Sequence, residues 1–321
     1  MLRRLLPDPF MLALLAVLAL ATLLPVQGRG ATWVGWLATA SIVLLFFFHG
    51  AKLSRQAVLD GVRHWRLHLV ILGSTFIMFP LLALLLSSLL PGLMPLPLWI
   101  GILYLAALPS TVQSSIAFTS MAGGNVPAAI AAASASQVLG VFATPALVGL
   151  LADAHGASMS MSGVGAIILQ ILAPFVLGHM MRPWIGGWIQ RHKGMISITD
   201  RSTILIAVYS AFSAAVVEGI WSRVPLPVLG VLTAICLLML VIALAFTWGI
   251  ARIAGFGRED RIAILFCGTK KSLIQGVPMA RALFAGPDLG LILLPIMIFH
   301  QLQLMACAWL ARRYARGATH V

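Results

Sequence analysis

The sequence predicts an all-α membrane protein of ten transmembrane helices arranged as two inverted five-helix repeats. Three observations predict it. Of the 321 residues 61% are hydrophobic and only 9% charged, against about a quarter charged in a soluble domain. Apolar stretches long enough to span a bilayer recur between short polar punctuation, and the basic residues keep to one side of them. A span needs about 20 apolar residues, so ten spans use about 200 and leave only short connections. The whole chain, 1–321, is therefore one transmembrane domain, with 1–160 as the first repeat and 161–321 as the second. A porin-type barrel is excluded, because its strands alternate apolar and polar residues and these segments are apolar on every side.

The spans read 9–27, 33–50, 67–90, 97–121, 126–151, 163–182, 202–220, 227–252, 261–284 and 288–311. Arg3 and Arg4 before the apolar run Phe10 to Leu24, with Ala19-Leu20-Ala21 as a cleavage site, share the pattern of a secretory signal. A retained first span is preferred, because nine more hydrophobic segments follow and the charge pattern requires it. With the N-terminus in the cytoplasm, only Arg29, Arg223 and Arg281 fall outside, Lys270 and Lys271 fall within the ninth span, and every other Lys and Arg falls inside. That asymmetry predicts a multi-pass protein of the inner (cytoplasmic) membrane with both termini cytoplasmic. It also explains the formal charge of +13 without a nucleic-acid partner. Cys236, Cys267 and Cys307 lie in apolar runs with no paired or metal-binding spacing, so neither disulfides nor zinc are expected.

The carboxylates Asp8, Asp60, Asp153, Asp200, Glu218, Glu259, Asp260 and Asp288 sit at span ends or in loops, whereas Lys270 and Lys271 sit in mid-span. A lysine at the bilayer centre costs about 2.5–3.5 kcal/mol even on lenient scales, so such residues usually face a cavity and serve function.

The fourth span reads Leu108-Pro109-Ser110-Thr111-Val112-Gln113-Ser114-Ser115 at its centre. Proline removes a donor and clashes with the preceding turn, and the hydroxyls and amide that follow satisfy freed backbone groups. The ninth span carries Cys267-Gly268-Thr269-Lys270-Lys271-Ser272 and then Gln275-Gly276-Val277-Pro278. Both are predicted to break near the midplane. One such break often means only a kink. Here both broken spans are penultimate in their halves, and each leads through a glycine turn, Ala122-Gly123-Gly124-Asn125-Val126-Pro127 or Ala285-Gly286-Pro287-Asp288, into the last span. Five spans per half is odd, so the second half is inverted. Paired breaks in inverted halves point to a secondary transporter whose site lies where the broken helices meet.

The candidate substrate- and ion-binding residues are accordingly Pro109, Ser110, Thr111, Gln113, Ser114 and Ser115 in the fourth span and Asn125 after it. Gly268, Thr269, Lys270, Lys271, Ser272 and Gln275 represent the ninth. Weaker candidates are Ser134, beside Ser136 and Gln137 in the fifth span, where helix-to-helix bonding explains the same residues, and His300 and Gln301 in the tenth. His300, Gln301 and Gln303 lie too close in sequence to share one face. Thr75, five residues before Pro80, reads more simply as bonded to its own helix. No catalytic residues are expected, since no buried carboxylate pair, metal cluster or nucleophile with a base is present.

These motifs resemble the bile acid:sodium symporter family, and more closely its SBF-like branch. The resemblance covers the whole chain and rests on Leu108 to Ser115, Gly124-Asn125-Val126-Pro127-Ala128-Ala129, Cys267 to Ser272 and Gly276-Val277-Pro278-Met279-Ala280. It implies a panel domain of spans 1, 2, 6 and 7 beside a core domain of spans 3 to 5 and 8 to 10, in which the broken spans four and nine cross. It also implies two sodium sites. Carried over residue by residue, sodium ligands fall near Ser114 and Ser115, with Thr75, Ala129, Ala133 and Lys270 at further ligand positions, and Thr269 in the ninth-span break is a further candidate sodium ligand. The acidic residue that bridges the ions in the bile acid carriers falls near Phe266 and is absent. A lysine near a sodium site repels the ion, so Lys270 or Lys271 replaces one sodium, permits coupling to protons, or attracts an anion. No cofactor is implied beyond a sodium ion.

The expected function is secondary transport of a small organic anion through the lipid bilayer by alternating access, coupled to sodium or protons. The alternative is a channel-like or regulatory membrane protein that affects ion homeostasis.

Overall fold

A computed structural model describes residues 9–52, 64–153, 168–217, 219, 224–284 and 288–318. Arg3, Arg4, Arg55, Arg63, Arg223, the start of the predicted sixth span and the turn 285–287 lie outside the described residues, as do Asp8, Asp60 and Glu218. All regular structure among the described residues is helical. The helices are α1 (Pro9–Leu23), α2 (Gly28–Lys52), α3 (Trp65–Leu89), α4 (Leu96–Ala107), α5 (Gln113–Met121), α6 (Val126–Asp153), α7 (Ala173–Arg191), α8 (Lys193–Val217), α9 (Leu226–Ile253), α10 (Arg258–Gly268), α11 (Leu273–Leu283) and α12 (Leu289–Ala318). Six of them, α2, α3, α6, α8, α9 and α12, are long and apolar enough to cross a membrane, and α4 and part of α1 are shorter apolar helices. The chain is a multi-pass membrane protein.

Helix ends differ from the expected spans where polar residues continue a helix. The second span was expected to begin at 33, but Gly28 to Thr32 already form the first turns of α2. The seventh was expected to begin at 202, but α8 starts at Lys193 and so takes Asp200 and Arg201 into the helix. Asp200 is buried there and forms an ion pair with Lys52 at 2.8 Å.

The chain divides into two compact units. One comprises Met1–Lys52, Ser160–Pro225 and Val277–Leu291 and holds α1, α2, α7, α8 and the second half of α11. Inside it α2 and α7 meet backbone to backbone. A Cβ added to Gly50 would lie 1.9 Å from the carbonyl oxygen of Phe175, and one on Gly178 would lie 2.0 Å from that of Phe47. Only glycine permits this approach. Arg281 on α11 donates to the Ser210 hydroxyl and to the Gly35 carbonyl.

The other unit comprises Leu53–Met159, Leu226–Gly276 and Ile292–Val321. It holds α3 to α6, α9, α10, the start of α11 and most of α12. Its α3 carries a π turn over Ser74–Met78, whose cause is Pro80. The proline ring crowds the carbonyl of Phe76 and offers no N–H, and the ladder shifts so that the Phe79 N–H bonds to the Ser74 carbonyl. The Thr75 carbonyl is then orphaned, since its α-helical partner has moved and its π-helical partner would be the missing N–H of Pro80. The Thr75 hydroxyl bonds to the Ile71 carbonyl of its own helix, as the sequence suggested.

Candidate functional site: two helix breaks that meet

The fourth predicted span is broken between α4 and α5 and the ninth between α10 and α11. The two unwound stretches touch, for the Ser272 N–H donates to the Pro109 carbonyl at 2.8 Å. A broken helix leaves orphan carbonyls on one side and orphan amides on the other, and here almost every carbonyl finds a named partner.

At the end of α4, Ala107 receives the Thr144 hydroxyl at 2.8 Å, and Ser110 receives the Gln137 side-chain amide at 2.9 Å. Ala106 and Leu108 both receive the Lys271 ammonium, at 2.6 and 2.8 Å, and the orphaned Thr75 carbonyl of α3 completes its set at 2.7 Å. The ammonium also lies 4.3 Å from the centre of the Phe79 ring. It therefore caps the negative end of α4, where a cation is favoured. At the end of α10 hydroxyls do the same work. Thr269 donates to Leu265 at 2.7 Å, Ser115 to Phe266 at 3.2 Å and Ser110 to Cys267 at 2.6 Å.

The unwound Lys271 is held from the other side by α12. The Gln303 side chain accepts from the Lys271 N–H and donates to its carbonyl, each at 2.9 Å, and its amide also contacts the His300 ring at 2.9 Å. The Ser110 N–H, freed by the break, donates to the Ser136 hydroxyl at 3.0 Å. Ser272 caps α11 by accepting from the Gln275 N–H at 3.3 Å, and Tyr104 donates to the Gly276 carbonyl.

Lys270 has a different environment. Its side chain is wholly buried and its nitrogen lies 3.9 Å from the centre of the Phe118 ring. Among the described residues it has no hydrogen-bond partner. A ring face stabilises an ammonium by about 0.5–2 kcal/mol, far less than the cost of burying it.

Most sequence candidates thus come together: Pro109, Ser110, Thr111, Ser114, Ser115, Gly268, Thr269, Lys270, Lys271, Ser272 and Gln275. Gly268 lies close under α9 and α3, where a Cβ would meet Thr247 at 3.0 Å and Ser74 at 3.4 Å. Three candidates stand apart. Asn125 is at the entry to α6, where its side chain accepts from the Ala128 N–H at 3.0 Å and donates to Asp260 at 2.7 Å. Gln113 is exposed in the first turn of α5, and Ser134 is half-buried on α6, outside the bonded set. His300 is half-buried beside Gln303, and the side-chain oxygen of Gln301 is buried without a partner among the described residues. The expectation that His300, Gln301 and Gln303 share no common face holds for the three together, yet His300 and Gln303, three apart, do share one. The residues passed over are Gln303, Thr144, Tyr104, Phe79 and Phe118. Gln303 was visible as a polar residue in an apolar span; nothing in the sequence marked the others.

The hydroxyls expected to ligate sodium are engaged. Ser114 and Ser115 lie 2.8 and 3.2 Å from the Thr111 hydroxyl, Ser115 and Thr269 donate to α10 carbonyls, and among the described residues no carboxylate takes part in the hydrogen bonds of the site.

The match to known proteins spans nearly the whole chain. The model of the SBF-like CPA transporter family covers residues 8–316. An uncharacterised protein of Pseudomonas aeruginosa is 53% identical over 314 residues, 98% of this chain and 94% of that one. "Putative symporter YfeH" of Escherichia coli is 52% identical over 309 residues, 96% and 93% of the two chains. "Sodium/bile acid cotransporter 7" of Rattus norvegicus is 28% identical over 321 residues, 95% and 92%. Paired helix breaks tied together through Lys271 and Ser272 and a sequence match over nearly the whole chain lead to one conclusion: the chain belongs to the SBF-like CPA transporter family.

Proposed function

We propose that the chain is a secondary active carrier, and no enzyme, that moves a small organic anion across the inner membrane by alternating access. The observation that carries this reading is Lys270, a buried ammonium with no hydrogen-bond partner among the described residues, beside two helix breaks. A buried cation needs a counter-charge. A carried carboxylate or similar anion supplies it. The names of the relatives, symporter and sodium/bile acid cotransporter, support a carrier.

In this reading the ten spans form two inverted repeats, with the α4–α5 and α10–α11 pairs as broken spans four and nine and both termini cytoplasmic. A panel of spans 1, 2, 6 and 7 and a core of spans 3 to 5 and 8 to 10 rearrange during transport. The grouping of α1, α2, α7 and α8 in one compact unit and of α3 to α6, α9 and α10 in the other supports that partition. Lys271 stands in for one coupling sodium ion, because its ammonium occupies carbonyls that would otherwise attract a cation.

The test is counterflow in proteoliposomes with labelled taurocholate and labelled succinate as probes. A carrier accumulates label transiently against unlabelled anion inside, and Lys270→Gln abolishes this. Unsaturable flux with no acceleration by internal anion overturns the carrier reading in favour of a channel.

A further inference from the structure

Three carbonyl oxygens, of Thr75, Ala106 and Leu108, converge on the Lys271 nitrogen within 2.6 to 2.8 Å. Each was freed by the chain's own breaks: Thr75 by the π turn before Pro80, and Ala106 and Leu108 by the end of α4 at Pro109. A cluster of neutral carbonyls at the negative end of a half-helix is the donor set by which proteins replace the hydration shell of a large monovalent cation. Divalent ions take carboxylates, and these bonds include none. The cage walls belong to α3 and α4, so they do not depend on the lysine for their position in the sequence. Only the occupant comes from the ninth span.

We propose that this cage is a monovalent-cation site whose ligand is the protein's own Lys271, and that shortening the side chain opens it to a free monovalent cation, small alkylammonium ions above all. The proposal deepens and rests on the reading of Lys271 as a built-in cation. Its readout is stability rather than transport, so failure of the cage and failure of the carrier reading are separate results.

Lys271→Ala removes Cγ, Cδ, Cε and Nζ, the heavy atoms of propylammonium. The experiment measures thermal unfolding of the purified full chain in detergent, titrated at constant ionic strength with the chlorides of propylammonium, methylammonium, ammonium, potassium, sodium and choline. The wild type is expected to be indifferent to the cation. Lys271→Ala melts about 5 °C or more lower, as expected when several buried polar groups lose their partner. It regains at least half of the loss saturably with propylammonium, less with the smaller ions, and nothing with choline, which is too large. Lys271→Met, whose stem fills the path to the cage, melts low and is not rescued. If Lys271→Ala is not recoverable by itself, propylammonium present from lysis onward yields monodisperse protein. The proposal is overturned if Lys271→Ala melts with the wild type, if choline acts as well as propylammonium, if Lys271→Met is rescued equally, or if no cation yields folded Lys271→Ala.

Discussion

Gln303 and Lys271 are paired as two strands of a sheet would be: the side-chain amide of one accepts from the N–H and donates to the carbonyl of the other, each at 2.9 Å. A single side chain thereby satisfies both polar groups of a residue that has left its helix inside an apolar protein. Replacing Gln303 with Leu keeps the size and removes both bonds. With each orphaned group costing about 1–3 kcal/mol, Gln303→Leu is expected to lower stability by about 2–5 kcal/mol. Thermal unfolding in detergent reads this directly, and a wild-type melting temperature would refute it.

The two adjacent lysines are expected to respond oppositely. Lys271→Met leaves three carbonyls without their donor and should cost about 3–5 kcal/mol. Lys270→Met removes a buried charge that has no hydrogen-bond partner among the described residues, so its melting temperature should equal or exceed that of the wild type, while probe-anion counterflow falls by tenfold or more. Measuring both variants by both assays checks the assignment; loss of stability in Lys270→Met would contradict it.

In the other unit the approach of α2 to α7 leaves no space for a methyl group at Gly50 or Gly178. Gly178→Ala should push the helices apart and lower stability by about 2–4 kcal/mol, an overpacking effect. Gly187→Ala on the same helix, where a Cβ meets nothing within 4 Å, should be neutral or slightly stabilising. Equal melting temperatures for the two variants would show that the close approach is not maintained in solution.

Lys52 and Asp200 form a second test within that unit. Asp200 is buried and its other oxygen has no partner among the described residues, whereas Lys52 is partly exposed. Removing the lysine strands a buried carboxylate; neutralising the aspartate frees a lysine that reaches water. Lys52→Met is therefore expected to melt below Asp200→Asn, and the double variant above Lys52→Met. The order of the three melting temperatures decides it.

Both breaks were legible in the sequence because Pro109 and the run from Gly268 to Ser272 are incompatible with a continuous apolar helix. What fills the breaks was much less legible. The partners of the two lysines are backbone carbonyls and aromatic rings, and a carbonyl freed by Pro80 looks in sequence like every other carbonyl. Neighbouring residues on a helix differ by about 100°, so the sequence left open which lysine turns inward; the structure gives the carbonyls to Lys271 and a ring face to Lys270. Asn125 shows the opposite case. Its residue type suggested a ligand, but its side chain is engaged in capping α6 and holding Asp260. Gln303 was passed over because three polar residues were weighed together, although a spacing of three places His300 and Gln303 on one face.

The partners that complete α4 lie far along the chain: Lys271 is 165 residues beyond Ala106 and 163 beyond Leu108. During synthesis the first broken span therefore enters the bilayer well before the groups that satisfy it exist. Until the ninth span emerges from the ribosome, those carbonyls depend on water or on the insertion machinery. A nascent chain stopped before Lys271 is expected to be held in an unfinished, protease-sensitive form, and assembly is completed only when the late lysine caps the early helix.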